Sequence, residues 1–536
     1  MKIINYIIII AVLAGGCKKL DIAPTDRFTD ITYWTTTEKA DRVVNTAYSQ
    51  ISHPGFFFFN EGLSDNAYNS RGDVEGVASI AAGTSDASLG RYKNEWNWHY
   101  TGIKTCNIFL ENVDRVPNMD ASLKERRKAE IRFIRAYHYF MLYTWYGDVP
   151  LFEKDITLEG SRTIARTPRA QVVAFVLKEL DEAANVLPVN SALSASDKGR
   201  ITKGAATALK ARALLYEGRW AETVAACEQL MDGTAGTYAL FPSYEGLFLP
   251  QNEYNNEVIF DLGYVPELRA YNTFFDFAPI SVGARLNNYA PTQELVNSYR
   301  MMNGKTITEN GSGYDENNPY VNRDPRLTAT IVYHLYQWKK PDGSTQTIYI
   351  KPGSDPDQKN KFDEYGGTIT SSTGYYLRKY YDPTSSTNFL SGLNLILIRY
   401  ADVLLMYAEA KNELGQFNEA IWNSTISALR SRAGFTDSEA LSFPSITQEG
   451  YRNAIRNERR VELAMEGLRV FDIRRWKTAE LVLNGWAHGA KYGQADVDNG
   501  YVRVNLRQFD PGKHYLWPVP RDERNMNPNL TQNPGW

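Results

Sequence analysis

The sequence has few cysteines, little net charge and no long apolar segment beyond its first residues. Only three cysteines occur among 536 residues, and none forms a C-x-x-C pair, which excludes the common zinc and thiol-redox motifs. The net charge is −3, so the chain lacks the basic field that binds nucleic-acid phosphates. After the N-terminal segment no stretch approaches the roughly 20 apolar residues that span a bilayer.

Catalytic and metal-binding motifs are also missing from the sequence. It has no His-Glu-x-x-His, no Gly-x-Ser-x-Gly and no phosphate-binding Gly-x-x-x-x-Gly-Lys. Residues 496–500 imitate the start of a calcium loop, but the twelfth position holds Arg507 instead of Glu. We expect a protein that is not an enzyme and has no cofactor, no metal site and no catalytic residues; these motifs do not test for a glycoside hydrolase, whose two carboxylates have no such sequence signature.

Aromatic residues are abundant in this chain. They make up 13% of it, with 34 Tyr and 11 Trp. Tyr and Trp combine a flat apolar face with a polar edge, which suits sugar and peptide ligands as well as a protein core.

The N-terminal segment predicts export and lipidation. Residues 1–16 carry a Lys, a short apolar stretch and small residues, the layout of a secretory signal peptide. Cys17 follows Ala14-Gly15-Gly16, a bacterial lipobox pattern, and is the expected lipidation site. The alternative is a plain signal peptide that ends near a cysteine. Residues 17–30 are predicted to be a tether, and residues 31–536 a single domain.

Large side chains recur at helical spacing in several segments. In residues 95–113 they follow one another at steps of three and four, which predicts one helix with a stripe facing the core. This stripe consists of Trp96, Tyr100, Ile103, Asn107 and Leu110. Helices are also predicted over residues 37–51, 124–146 and 168–187. His138, on the apolar side of one of them, is expected to be a hydrogen-bonded core residue.

Residues 213–223 and 410–420 share one pattern: Ala, four residues, Gly, any residue, an aromatic residue, any residue and Glu. The pattern predicts a helical hairpin in which Gly218 or Gly415 makes the left-handed turn. It resembles tetratricopeptide repeats. Two unrelated hairpins are the alternative.

The sequence between these hairpins, about residues 233–392, has no helical periodicity. It is rich in Tyr, Asn, Gly, Asp and Pro, and predicts an irregular insertion with short strands near 347–350 and 375–380. Long irregular segments on a helical scaffold often carry function. Residues 53–92, which include four consecutive Phe, are likewise predicted to be a loop.

Residues 449–476 predict a strongly charged helix. Glu458, Glu462 and Glu466 share one face, which would suit a metal site. No Glu-x-x-His accompanies them, and several arginines are interleaved. We therefore interpret the three carboxylates as part of an ion-pair network between helices.

Several motifs, ordered from end to end, resemble the SusD/RagB family of outer-membrane lipoproteins. They are CKKLDIAP at 17–24, EIRFIRAY at 130–137, YGDVP at 146–150, IRYADVLLMYAEA at 398–410, RNERRVELAMEG at 456–467, RRW at 474–476, and LWPVP at 516–520. The resemblance implies a mainly α-helical body with tetratricopeptide-like hairpins, anchored at the outer membrane and facing the exterior. It also implies a SusC-like TonB-dependent transporter as partner and a glycan, or in some branches a peptide, as ligand.

Three functions stay open at this point. The first is glycan capture and delivery to the transporter, with a peptide as the alternative ligand. The second is an outer-membrane glycoside hydrolase, because 62 acidic residues allow many carboxylate pairs. The third is a helical adaptor that binds only protein.

A ligand site is predicted around Trp98. Trp98 lies two residues from Trp96 and therefore points away from the core stripe. It is either packed under the insertion or exposed to a ligand. The accompanying side chains are predicted to come from the preceding loop and from the insertion. They are Tyr68, Asn69, Arg71, Tyr271 and Tyr289.

Overall fold

The computed structural model describes residues 33–69, 74–272, 276–357, 359, 361–385 and 389–536. The helices are α1 Thr37–Ser49, α2 Pro54–Phe59, α3 Val77–Ala81, α4 Gly90–Asn112, α5 Ala121–Tyr146, α6 Leu158–Ser161, α7 Arg169–Val186, α8 Lys203–Tyr216, α9 Trp220–Met231, α10 Gln293–Ser298, α11 Pro325–Thr330, α12 Tyr400–Glu413, α13 Glu419–Trp422, α14 Ala428–Ala433, α15 Ser438–Leu441, α16 Gln448–Glu462, α17 Arg469–Arg475, α18 Ala479–Val482 and α19 Arg521–Met526. The strands are β1 Ala67–Asn69, β2 Val258–Leu262, β3 Tyr289–Pro291, β4 Ile331–Val332, β5 Tyr336–Lys339, β6 Thr345–Ile348, β7 Tyr376–Leu377, β8 Leu395–Arg399, β9 Gly485–His488 and β10 Arg503–Arg507. The fold is therefore mainly α, as the sequence predicts. Among the described helices, none is both long and apolar enough to cross a membrane.

Two long helices, α4 and α5, pack against each other in the core. Their bounds agree with the predicted helices to within a few residues. Trp96 is buried, as its place on the core stripe predicts. His138 is fully buried, and its Nδ1 lies 3.0 Å from Nδ1 of His99, so the prediction of a hydrogen-bonded core histidine is confirmed.

Both predicted hairpins are present in the structure. The chain turns between α8 and α9 at Gly218, which has φ of 67°. After α12 it turns at Gly415, which has φ of 68°. Glycine adopts this left-handed conformation without the steric cost that a Cβ atom imposes. The second helix of the later hairpin continues from α13 into a π-helical turn at Asn423–Ser427 and then α14. Helix α9 also packs against α12, so the two hairpins are neighbours.

The irregular segment at 233–392 holds short strands and turns, as predicted. Each sheet that the described residues form is a two-stranded antiparallel pair. The predicted strand near 347–350 is found as β6, and that near 375–380 as β7. Strand β3 pairs with β1, and β2 pairs with β8. The first pairing joins the middle of the segment to β1, and the second joins the early part of the segment to the strand that leads into α12.

The prediction of a loop at 53–92 is wrong where the four phenylalanines lie. Residues Pro54–Phe59 form α2, and all four Phe rings are buried. Proline favours the first turn of a helix, and the His53 side chain caps this one by accepting a hydrogen bond from the Gly55 amide at 3.1 Å. The rings pack on different neighbours around this short helix, so they need not share one face.

The prediction of one continuous helix at 449–476 is also wrong. Helix α16 ends at Glu462, and α17 begins at Arg469. Between them Met465 has φ of 65° and Gly467 has φ of 76°, conformations that a helix does not contain. The break turns Glu466 back toward the side chains that Glu462 contacts.

The acidic residues of this segment form a buried ion-pair network. Arg399 contacts both Glu462 and Glu466, and Lys379 contacts Glu466 at 2.7 Å. Arg430 contacts Glu458 at 2.9 Å. The interpretation of these carboxylates as ion-pair partners is therefore confirmed.

The C-terminal tail covers the core of the long helices. The Trp517 ring stacks on Trp145, with centroids 3.9 Å apart and planes at 14°. The side-chain amide of Asn533 donates to the backbone oxygen of Tyr146 at 2.8 Å. The tail thus completes the packing around α5.

Candidate functional site

Trp98 lies at the edge of a surface pocket of about 410 Å³ beside the start of α4. Its ring is half-buried, so part of the indole faces the pocket. The remaining lining residues come from the segment between α1 and α2, from α2, from the turn before α3, and from the exposed side of α4. They are Gln50, His53, Phe56, Glu75, Asn94, Asn97 and Thr101.

The Trp98 ring is held in place by a hydrogen bond and two aromatic contacts. Gln50 follows α1, where carbonyl oxygens have no partner within the helix. The indole Nε1 of Trp98 donates to the Gln50 backbone oxygen at 2.6 Å. His53 and Phe56 meet the indole in edge-to-face contacts with centroids at 5.6 and 5.9 Å. The ring is therefore ordered before any ligand arrives, which lowers the entropy cost of binding.

His53 connects this pocket to the cap of α2. Burial lowers the pKa of His53, against the attraction of the Glu75 carboxylate. The neutral imidazole can accept the hydrogen bond from the Gly55 amide, which an imidazolium could not. The cap and the aromatic wall of the pocket therefore depend on the same ring.

The floor of the pocket is polar. Asn94, Asn97 and Thr101 are exposed on α4 at steps of three and four, on a different side from the core stripe. The carboxamides of Asn94 and Asn97 make no hydrogen bond to any described residue. Each amide offers both donors and an acceptor, which matches the hydroxyl groups of a polyhydroxylated ligand.

The loop residues predicted for the site lie elsewhere or outside the described residues. Tyr68 and Asn69 belong to β1, which pairs with β3, and neither lines the Trp98 pocket. Asn69 is buried. Arg71 and Cys17 are outside the described residues.

Tyr271 and Tyr289 are core residues, which corrects their predicted place beside Trp98. They are 6% and 0% exposed. Tyr271 packs on Tyr264, and Tyr289 meets Phe59 edge-to-face at 5.7 Å. Their rings are enclosed by other aromatic rings, so no face is open to a ligand. We therefore leave both tyrosines out of the candidate site.

Sequence reasoning missed three groups that shape the pocket: the Gln50 carbonyl, the His53 ring and the row of polar residues on α4. The row was detectable, because Asn94, Asn97 and Thr101 have helical spacing. The other two were not, since they come from an earlier part of the chain.

The described residues contain no group of three His, Cys, Asp or Glu side chains arranged to hold a metal ion. In the calcium-like segment, Asp498 is already engaged. Its Oδ2 lies 3.0 Å from Nε2 of His488 and 2.6 Å from Nε of Arg503. The Trp98 pocket combines aromatic rings with amide and hydroxyl groups and one carboxylate, that of Glu75.

Two family models match this chain. The SusD family model covers residues 256–536, and a model described as "Starch-binding associating with outer membrane" covers residues 25–215. Together they include the helix that carries Trp98, nearly all of α8 and the whole of the second hairpin.

Individual proteins that resemble this chain in sequence and structure are also SusD-like. A SusD-like carbohydrate-binding protein from Bacteroides fragilis, whose crystal structure is known, has 30% sequence identity to this chain. The two structures superpose with a TM-score of 0.84 over 93% of this chain and 100% of that protein. A second SusD-like protein from the same species is 28% identical, with a TM-score of 0.80 over 96% of this chain and 100% of its own. SusD-like protein P25 of Formosa agariphila is 25% identical over 91% of this chain and 88% of its own. On the family model, the fold and these relatives, the chain belongs to the SusD family.

Proposed function

We propose that this protein binds a glycan in the Trp98 pocket. The observation that carries the proposal is the indole, which is fixed by Gln50 yet left partly open beside two unpaired carboxamides. Sugar rings place their C–H faces on aromatic rings, while amides bind the hydroxyl groups and set the orientation. The pocket supplies both kinds of contact within one turn of a helix.

The relatives support the same ligand class. One family model describes starch binding, and the B. fragilis relative is described as carbohydrate-binding. The starch-binding protein SusD of Bacteroides thetaiotaomicron is 26% identical over 36% of this chain and 33% of its own. We therefore propose a glycan as the ligand.

We also propose the setting in which this binding takes place. Lipid on Cys17 would hold the protein at the outer membrane, with residues 17–30 as a tether and the body facing the exterior. From there the protein would deliver its ligand to a SusC-like TonB-dependent transporter. The family model that describes association with the outer membrane supports this setting.

Capture without cleavage fits the pocket better than hydrolysis. Glycoside hydrolases generally use two carboxyl groups on opposite sides of the bond that breaks. Among the described lining residues of the Trp98 pocket, Glu75 is the single carboxylate. We therefore propose a binding protein and not an enzyme.

Titration calorimetry against soluble starch, laminarin, other soluble polysaccharides and a peptide mixture tests the proposal. Trp98→Ala should weaken glycan binding by about 1–3 kcal/mol, by analogy with the stacking of bases on aromatic side chains. Trp486→Ala is the matched control, because Trp486 is 40% exposed and lies outside the pocket. Circular dichroism must show that both variants remain folded.

The panel separates the possible functions. Release of reducing sugar would identify a hydrolase, and binding confined to peptides would identify a peptide carrier. If a glycan binds wild type and Trp98→Ala equally well, the pocket assignment is wrong.

A further inference from the structure

A second pocket, of about 520 Å³, lies on the other flank of α4. Its walls come from α4, the segment after α5, helix α6 and the region around α19. Its aromatic, apolar and charged lining includes Tyr100, Lys104, Phe152, Leu158, Ile164 and Glu523.

Asn97 and Thr101 line both pockets. They belong to a polar row on α4 that begins at Asn94 in the Trp98 pocket and ends at Lys104 in the second pocket. The steps along this row are three, four and three residues, so the side chains lie on one exposed face of the helix. The two pockets therefore adjoin along this row of α4.

Like the Trp98 pocket, the second pocket places aromatic rings beside polar side chains. Tyr100 stacks on Phe152, with centroids 5.8 Å apart and planes at 15°, and both rings are half-buried. Leu158 is 71% exposed at the rim. The half-buried Glu523 adds an acceptor, and the exposed Lys104 adds donors.

This second pocket has a firmly held outer wall. The side-chain amide of Asn527 donates to the backbone oxygens of Ser161 and Ile164 at 3.1 and 2.8 Å. The Tyr100 hydroxyl donates to the backbone oxygen of Pro150 at 2.9 Å. Contacts from two distant parts of the chain thus fix the rim before a ligand binds.

We propose that one extended glycan chain occupies both pockets, crossing α4 over Asn97 and Thr101. The second pocket is then a subsite that selects for chain length. This inference rests on the proposed glycan binding at Trp98. The occupant follows from continuity: the shared residues between the pockets are polar, exposed and unused, as a chain of hydroxyl-bearing rings requires.

A blocking variant tests the subsite. Ser161 is exposed and lines the second pocket, so Ser161→Trp should fill it. The control is Thr163→Trp, because Thr163 is exposed two residues away and does not line the pocket. The probes are a disaccharide and an octasaccharide of the glycan that binds in the panel, starting with starch and laminarin fragments.

We expect Ser161→Trp to weaken octasaccharide binding at least about tenfold, a change of about 1.4 kcal/mol, and to leave disaccharide binding unchanged. Thr163→Trp should change neither. Trp98→Ala should weaken both ligands.

The outcomes separate the two proposals. If Trp98→Ala weakens both ligands and Ser161→Trp weakens neither, the subsite is overturned while the Trp98 site stands. If Ser161→Trp instead impairs only the binding of a SusC-like transporter, the second pocket is a protein-docking surface and the inference is wrong. If no glycan in the panel binds, both proposals fail.

Discussion

Glu462 and Arg399 form an ion pair in the interior of the protein, with Oε1 of the carboxylate 2.6 Å from Nη1 of the guanidinium. Both side chains are almost fully buried. Glu462 also accepts from Arg326 at 2.8 Å and contacts Arg432. One carboxylate thus joins α16 to the end of β8, to α11 and to α14.

Glu462→Gln should be strongly destabilising. It removes the negative charge that three buried arginines share, and breaking a buried ion pair in this way costs about 3–5 kcal/mol. Guanidinium unfolding curves give the free energy of unfolding. Glu449→Gln, an exposed change in the same helix, is the control and should have little effect. An unchanged unfolding midpoint for Glu462→Gln would show that the network does not stabilise the fold.

Asp261→Asn should alter the pH dependence of stability. Burial raises the pKa of Asp261 to about 7, while an unfolded Asp titrates near 3.9. Between these values the native state binds the extra proton, so wild-type stability falls as pH rises through this window. The asparagine at this position in the variant does not titrate, so the variant does not lose stability in this way as the pH rises. It can keep the hydrogen bond that Asn394 Nδ2 donates to the Asp261 carboxylate at 3.0 Å.

The measurement is the melting temperature of both proteins at pH 5 and pH 8. The difference, variant minus wild type, should be more positive at pH 8. The exposed Asp496→Asn provides the control and should show no such change. An equal difference at both pH values contradicts the prediction.

Ala208→Leu should destabilise the first hairpin. Ala208 has no exposed surface on α8, which packs between α7 and α9. Added methyl groups in a filled core force neighbours apart and cost about 1–3 kcal/mol. Urea unfolding measures the change. Ala225→Leu, exposed on α9, should leave the midpoint unchanged; equal midpoints for both variants would reject close packing at Ala208.

Cys17→Ala should release the protein from the outer membrane. Two or more acyl chains on one cysteine give stable anchoring, which this substitution removes. Cell fractionation by immunoblot is the measurement, in a strain without the transporter so that protein contacts cannot retain the variant. Retention in the outer membrane under these conditions would refute lipidation at Cys17.

The long helices were predictable because their signal is local. A stripe such as that of Trp96 and Tyr100 repeats several times within one helix, so the sequence reveals which side is buried. The turns at Gly218 and Gly415 were predictable for a similar reason, since a left-handed turn favours glycine.

Features that depend on distant residues were not predictable. The partner of Trp98 is a backbone oxygen 48 positions earlier, which no periodicity marks. The break after Glu462 accompanies a contact between Glu466 and Lys379, which lies 87 positions earlier in the chain, and no local pattern marks that partner. Tyrosine occurs in ligand sites as well as in cores. The residue type alone therefore could not show that Tyr271 and Tyr289 are buried.

The stacking of Trp517 on Trp145 bears on the order in which the polypeptide assembles. Trp145 lies near the end of α5, whereas Trp517 and Asn533 come from the last part of the chain. While the C-terminus is still being synthesised, an aromatic face near the end of α5 therefore stays open. An incomplete chain is therefore less stable, and a late premature stop would leave a product with this aromatic face open to proteases.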